Sequence, residues 1–575
     1  MTEAFDRSVK ESGQLNGMEH SSMEGVKKRP ANGTMEGNRS MQSPQLDRDI
    51  AVSHIRDAAQ QMQSDFVDQM SDRLTNLLDG FVGQVTRMGE LESPMTESAK
   101  GKRSPLAQKV FVPRESLLTN LLKDKNIQTI YNIFVAIMIV IIMNTFITDL
   151  IDTGSIRLEF DLLQRAFGQA PIVLWTWFLM HIWAMVIFYC TFQYWSQHES
   201  CYYTPFNIYI PEVAWLVLYT TYQVLFLYLP MKAILVNSLP LASSVIVTAE
   251  QIRLMMKMHA FMRENTPGAL AWKQSRSRRK RTPNGEPKTS QSGKGDVDDA
   301  VTASVLQGSI DYKDVPTPCP DFSKYLYFLF CPTLIYRDNY PRTTMIRWDV
   351  VRVNFMQVVG CLFYTFYLFD CFCLPMFKNF TEETMTMKNL ARATFTCMLP
   401  ATLMLLLAFF AILHSWLNAF AEMLRFADRQ FYKDWWTCKN YSTYYRTWNI
   451  VVHDWLYTYI YRDCQLMGLG RLTSSLTVFA ISAVFHEYII VMAFRFFYPI
   501  LLIFFVGAGV PLFLTMAGER SSAFWNIFMW ITLISGMGLI VVLYSLEWHA
   551  RVYCEYDRDS WLQLLVPQTW GCRVS

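Results

Sequence analysis

Residues Leu472–Val491 read LTSSLTVFAISAVFHEYIIV, twenty residues with a single carboxylate, Glu487, and a single imidazole, His486. A helix rises about 1.5 Å per residue, so this stretch reaches across the ~30 Å hydrocarbon core of a bilayer. Comparable apolar stretches recur at Ile130–Ile147, Pro171–Phe192, Val213–Met231, Leu239–Val247 with a polar extension, Val353–Phe369, Thr394–Leu413, Phe496–Met516 and Phe524–Leu546. The expectation is an all-α polytopic membrane protein with about nine transmembrane helices. Composition agrees: of 575 residues only 18% are charged and 15% are aromatic. A net charge of +3 is too small to argue for nucleic acid.

Outside the spans the chain changes character. Residues 1–48 are rich in Ser, Gly, Asn and charge and read as a disordered cytosolic segment; with no apolar stretch there, insertion is expected to rely on the first internal span. In residues 49–90, Ile55, Met62, Phe66, Met70, Leu74, Leu77 and Phe81 recur at three- and four-residue steps. That pattern describes an amphipathic helix, either for oligomerisation or for the membrane surface. A basic linker at 91–116 leads into the membrane domain at 117–575, with a cytosolic loop at 264–320 and a tail at 547–575.

Basic residues orient the spans. Lys100, Lys102, Arg103, Lys109, Arg114, Lys123 and Lys125 precede the first, and KQSRSRRKR at 273–281 follows the fourth. Both flanks belong in the cytosol, and an even number of spans separates them, so the two assignments agree. The same count places the 431–471 loop in the cytosol and the C terminus in the lumen. Asn379-Phe380-Thr381 would then be a lumenal sequon, although Asn32-Gly33-Thr34 shows how weak that pattern is. Of twelve cysteines none forms a CxxC pair, which argues against a zinc framework. In an oxidising lumen Cys554 and Cys572 could bridge, worth roughly 3 kcal/mol; two free thiols are the alternative.

His486 is the sharpest chemical feature, because an ionisable residue inside a span is a functional candidate by default. A histidine satisfied by a neighbouring helix is the other reading of its position. His486-Glu487-Tyr488-Ile489-Ile490 is not an HExxH helix, since Ile490 occupies the second ligand position, so no metal is expected. An imidazole taken out of water is neutral and can accept a proton. Ser482 lies one helical turn before it. Arg471, fifteen residues earlier, sits roughly 22 Å away along the axis. A cation at the mouth and a base at mid-membrane suit a donor with an anionic head and a reactive far end, the shape of acyl-coenzyme A, although Arg471 alone also fits an ordinary positive flank. Upstream, Arg446, Asn449 and His453 are spaced i, i+3, i+7 and are expected on one helical face able to hold phosphate and polar groups. An interfacial aromatic belt with basic anchors is the alternative for this segment.

FYKDWW at Phe431–Trp436, YLYFLFCPTLIYRDNYPR at Tyr325–Arg342, YYRTWNIVVHDW at Tyr444–Trp455 and SAVFHEY at Ser482–Tyr488 resemble the membrane-bound O-acyltransferase superfamily, specifically its sterol O-acyltransferases. The likeness runs from about Leu117 to the C terminus. Phe431, Tyr432, Asp434, Trp435 and Trp436 match an FYxDWW signature that diacylglycerol acyltransferases share; the other three segments tilt toward sterol. The resemblance implies His486 as catalytic base with Asn449 and Trp448 beside it. It implies a coenzyme A contact set of Thr443, Arg446, Asn449, His453, Tyr461, Arg471 and Ser482, with Thr443 departing from the Asn that relatives often carry. Asn132 stands where relatives can have a sterol-contacting His. Cys554 and Cys572 resemble the family's lumenal disulfide. The implied substrates are a long-chain fatty acyl-CoA, as co-substrate with no cofactor, and cholesterol or a related sterol. The implied setting is the endoplasmic reticulum membrane, as a dimer or tetramer. Against this stand a diacylglycerol acyltransferase and, from another class, a lipid transporter; no inverted repeat supports the latter.

Overall fold

The first long helix shows how the sequence sets an element's limits. The computed structural model describes residues 109–154, 166–198, 202–203, 208–281, 318–378, 386–511, 522–553 and 566–570. A short α1 (Leu117–Leu121) leads to α2 (Lys125–Thr153). Asp124 caps α2 by accepting the Asn126 N–H at 2.7 Å, and Gly154 ends it in the left-handed region at φ +68°, returning its N–H to Leu150. Next come α3 (Ala170–Gln197), a two-residue antiparallel ladder of β1 (Tyr202–Tyr203) with β2 (Ile208–Tyr209), α4 (Ile210–Val236) and α5 (Leu241–Arg281). After α6 (Phe322–Phe330) follow α7 (Trp348–Phe377) and α8 (Met387–Met423). The short α9 (Tyr441–Thr447) and α10 (450–466) precede α11 (Arg471–Phe494), α12 (Ile500–Gly509) and α13 (Ala523–Tyr553).

Among the described residues seven helices are long and apolar enough to cross a membrane: α2, α3, α4, α7, α8, α11 and α13. They carry seven of the nine expected spans. The other two differ from expectation. The stretch at 239–247 is the start of the 41-residue α5, which runs on to Arg281 through residues read from sequence as loop. The stretch at 496–516 contains the short α12.

The 41 residues of α5 correspond to about 60 Å, twice the apolar thickness of a bilayer. It carries Glu250, Arg253 and Lys257 because each finds a partner. Glu250 accepts two bonds from Arg253 at 2.7 Å and lies 3.2 Å from His181 on α3. Lys257, fully buried, donates to the carbonyls of Phe328 and of Cys331, the latter at 2.7 Å. Buried charge is tolerated only when paired or hydrogen-bonded in this way. Gln251 turns toward α11 and accepts the Tyr488 hydroxyl at 2.9 Å, which ties α5 to the helix bearing His486.

Helices α8 and α13 pack closely at Gly538. A Cβ there would stand 2.8 Å from Met398 Cγ and 3.0 Å from the Thr394 carbonyl, so only glycine fits. Residues 109–116 cross over the segment after α8: Arg114 exchanges backbone hydrogen bonds with Ala427 and Arg429 and pairs with Asp428 at 2.6 Å. Glu422, fully buried, accepts from both Arg347 at 2.9 Å and Arg429 at 2.6 Å. The amphipathic segment at 49–90, Asn379, Cys554 and Cys572 lie outside the described residues.

Candidate active site

The FYKDWW segment is core, not an interfacial belt. Phe431, Tyr432 and Trp435 are buried, whereas Asp434 is exposed and Trp436 half-buried. Tyr432 places its hydroxyl 2.6 Å from Nδ1 of the buried His414, in a network with Ser116 and Asn418. Trp435 packs edge-on against Phe409 (5.1 Å between centroids) and Trp448 (4.5 Å), with Tyr444 and Trp530 alongside. The motif's backbone grips the next segment: Lys433 N–H donates to Thr447 O and Ile450 N–H to Phe431 O, both at 2.9 Å. The signature therefore holds the turn between α9 and α10.

That turn carries Trp448 and Asn449, and here one expectation fails. Arg446, Asn449 and His453 do not share an uninterrupted helical face, because the helix breaks at Asn449. Its backbone is extended (φ −138°, ψ 91°), and its side-chain oxygen accepts the Val452 N–H at 3.1 Å, capping α10. Periodicity alone hid the break. An Asn directly before Ile450-Val451-Val452 is an N-cap signal that marks it. With its oxygen occupied by the cap, Asn449 keeps its amide N–H groups for another acceptor.

Downstream, His453, Tyr457 and Tyr461 form a stacked stripe along α10, with centroid separations of 6.4 and 5.5 Å. Asp454, beside them, pairs with Lys109 at 2.8 Å and lies 3.5 Å from His453 Nδ1. Burial works to raise its carboxyl, but the hydrogen bonds and charge of His453 and Lys109 prevail and hold it below the usual carboxylate range. Thr443, Arg446 and Arg471 are exposed, the last as the first residue of α11 after Gly470.

On α11, His486 Nδ1 lies 2.7 Å from the Ser482 carbonyl, with the Ser482 hydroxyl at 3.5 Å. A carbonyl only accepts, so Nδ1 carries the proton and a neutral ring is left with a free lone pair on Nε2. His486 is an exposed residue of α11. Its aromatic neighbour is Phe505 on α12, at 5.0 Å and 33°. Phe505 also lies 6.3 Å from Tyr445, one turn before Asn449, and Tyr445 meets Phe479 of α11 at 5.1 Å. Ring contacts thus link His486, through Phe505, to Tyr445, four residues before the break at Asn449.

Asn132 is exposed on α2, whose Tyr131 packs on Phe410 of α8. Sequence reading missed the ring contacts of Tyr445 and Phe505, since neither residue type nor spacing sets them apart from the other aromatics of their helices.

The sequence pattern of the membrane-bound O-acyltransferase family (MBOAT) matches residues 242–546, from the start of α5 into α13. The chain is 40% identical over 513 residues to sterol O-acyltransferase 1 of Mus musculus, covering 88% of each chain. It is 40% identical over 469 residues to sterol O-acyltransferase 2 of Homo sapiens, covering 81% of each. With sterol O-acyltransferase 2 of Mus musculus the identity is 37% over 528 residues, 89% of this chain and 91% of the relative. The break at Asn449, the aromatic signature that braces it and the imidazole of His486 all fall inside the matched region, and the chain belongs to the membrane-bound O-acyltransferase family, within its sterol O-acyltransferases.

Proposed function

We propose that this membrane enzyme esterifies the 3β-hydroxyl of cholesterol or a related sterol with the acyl group of a long-chain acyl-CoA, and that His486 is its general base. The observation that carries the chemical assignment is the ring's hydrogen bond to Ser482 O, which leaves Nε2 unprotonated within the bilayer span. As the sterol oxygen attacks the thioester carbonyl carbon, Nε2 takes the hydroxyl proton and the C–O bond forms. The C–S bond then breaks, the thiolate leaves, and the proton passes from His486 to sulfur. Free coenzyme A thiol and sterol ester are the products, so atoms and charge balance without an acyl-enzyme. A thiolate with a conjugate-acid pKa near ~8.5 leaves readily and needs no strong acid. Asn449, its oxygen held by the cap, directs amide N–H groups at the carbonyl oxygen as charge develops there. Trp448 holds that residue against Trp435 and Phe409.

Arg446, His453, Tyr461 and Arg471, with Thr443 and Ser482, are proposed to hold the coenzyme A moiety on the cytosolic side. The sterol ester, more apolar than either substrate, leaves sideways into the bilayer. Residence in the endoplasmic reticulum with a cytosolic N terminus and a lumenal C terminus, a Cys554–Cys572 bridge, and homo-oligomers joined through residues 49–90 complete the proposal. Asn132, exposed on α2, is retained as a candidate contact for a second sterol.

Microsomes containing this chain, supplied with labelled oleoyl-CoA and either cholesterol or diacylglycerol, test the acceptor. Label is expected in sterol ester, with triacylglycerol at background. The opposite distribution would move the chain to the diacylglycerol acyltransferase reading.

A further inference from the structure

Glu487 follows the proposed base directly but points about 100° away from it around the helix. The structure gives this carboxylate a separate task. It is buried, and its Oε2 accepts the Leu502 N–H at 3.0 Å. The Tyr544 hydroxyl of α13 lies 3.1 and 3.3 Å from its two oxygens and also accepts the Leu501 N–H at 3.2 Å. Leu501 and Leu502 occupy the first turn of α12, where backbone N–H groups have no partner within the helix. Pro499, at the cap position, provides no side-chain acceptor. Glu487 and Tyr544 together therefore serve as the cap that α12 lacks.

What α12 carries makes this cap matter for the reaction. Phe505 is its only side chain in ring contact with His486, at 5.0 Å, among the described residues. Gly509, near the other end, packs so closely on Tyr445 that a Cβ there would stand 3.2 Å from the Tyr445 hydroxyl. At one end the helix is hydrogen-bonded to the residue after the base; along its length it braces the base and the segment leading to Asn449.

We propose that Glu487 is a positioning residue for acyl transfer: with Tyr544 it fixes α12 so that Phe505 holds the His486 ring with Nε2 facing the reacting atoms. The proposal rests on His486 being the base. It requires that loss of the carboxylate alter turnover and leave the binding of acyl-CoA at the distant mouth unaltered.

The full-length chain and its Glu487→Ala, Glu487→Gln, Tyr544→Phe and Phe505→Ala variants, with the Glu487→Ala/Phe505→Ala double variant, are assayed for kcat and for KM toward acyl-CoA. Glu487→Ala is expected to lower kcat at least about tenfold with KM within about twofold, and Phe505→Ala to do the same. Glu487→Gln, which keeps a carbonyl acceptor for Leu502, recovers most of the rate. The double variant is no slower than the slower single one, because both act through one contact. Wild-type kcat in Glu487→Ala, or losses that add in the double variant, would overturn the proposal while leaving the base assignment standing, provided His486→Ala is inactive. An active His486→Ala variant would instead remove the base itself, and this proposal with it. Should Glu487→Ala fail to fold, Tyr544→Phe and Phe505→Ala decide: a kcat loss at constant KM supports the proposal, and wild-type kcat in both overturns it.

Discussion

Replacing His486 with alanine is expected to reduce sterol esterification by about 10²–10⁴-fold, the usual contribution of a general base. Expression, membrane insertion and oligomeric state should be unchanged, because the ring's only hydrogen-bond partners among the described residues are Ser482 atoms of its own helix. Removing it strands no buried group elsewhere in the fold. His486→Gln should be equally inactive, since an amide fills the space but accepts no proton. Retention of a substantial fraction of the wild-type rate in either variant would return His486 to the role of a histidine that merely packs on Phe505.

Trp435→Ala is expected to have the largest effect on the fold itself. Trp435 is buried among Phe409, Tyr444, Trp448 and Trp530, and truncating a large aromatic in such a setting costs about 3–5 kcal/mol. The cavity would lie directly beneath Trp448, so the turn at Asn449 should loosen and activity fall with the melting temperature. Asp434→Ala, at the adjacent but exposed residue, should stay within about 0.5 kcal/mol of wild type. Detergent-solubilised thermal melts of the two variants make the comparison. Equal melting temperatures would mean that the aromatic signature does not brace the site.

Spans such as α2, α8 and α13 were legible in the sequence because their apolar runs are long and little interrupted by charge, so length against bilayer thickness sufficed. Helix α5 was only half legible. Glu250, Arg253 and Lys257 look like the end of a membrane segment, and it is the tertiary partners His181, Phe328 O and Cys331 O that permit the helix to continue. Hydropathy sees a charge but not its partner. His486 stood out for the complementary reason: a polar residue in an apolar run is conspicuous whatever surrounds it.

Around the site, the residues were easier to read than their arrangement. Arg446, Asn449 and His453 fit a helical spacing, yet Asn449 breaks the helix to cap the next one, a choice made by backbone dihedrals and one hydrogen bond. The FYKDWW residues admit both a surface belt and a core by composition; their burial is fixed by Phe409 and Trp530, 22 to 99 residues away along the chain from the motif. The partners of Glu487 were not legible because Leu502 and Tyr544 lie 15 and 57 residues further on.

In the proposed reaction Nε2 of His486 meets the reacting end of an acyl-CoA whose head group is held at the mouth near Arg471. A structure of this protein with a non-reactive thioether analogue of acyl-CoA tests this arrangement. The head group is expected beside Arg446 and Arg471, with the sulfur end close enough for a sterol hydroxyl to sit about 3 Å from both Nε2 and the carbon that takes the place of the thioester carbonyl. An analogue seated elsewhere, with the His486 ring facing lipid, would contradict it.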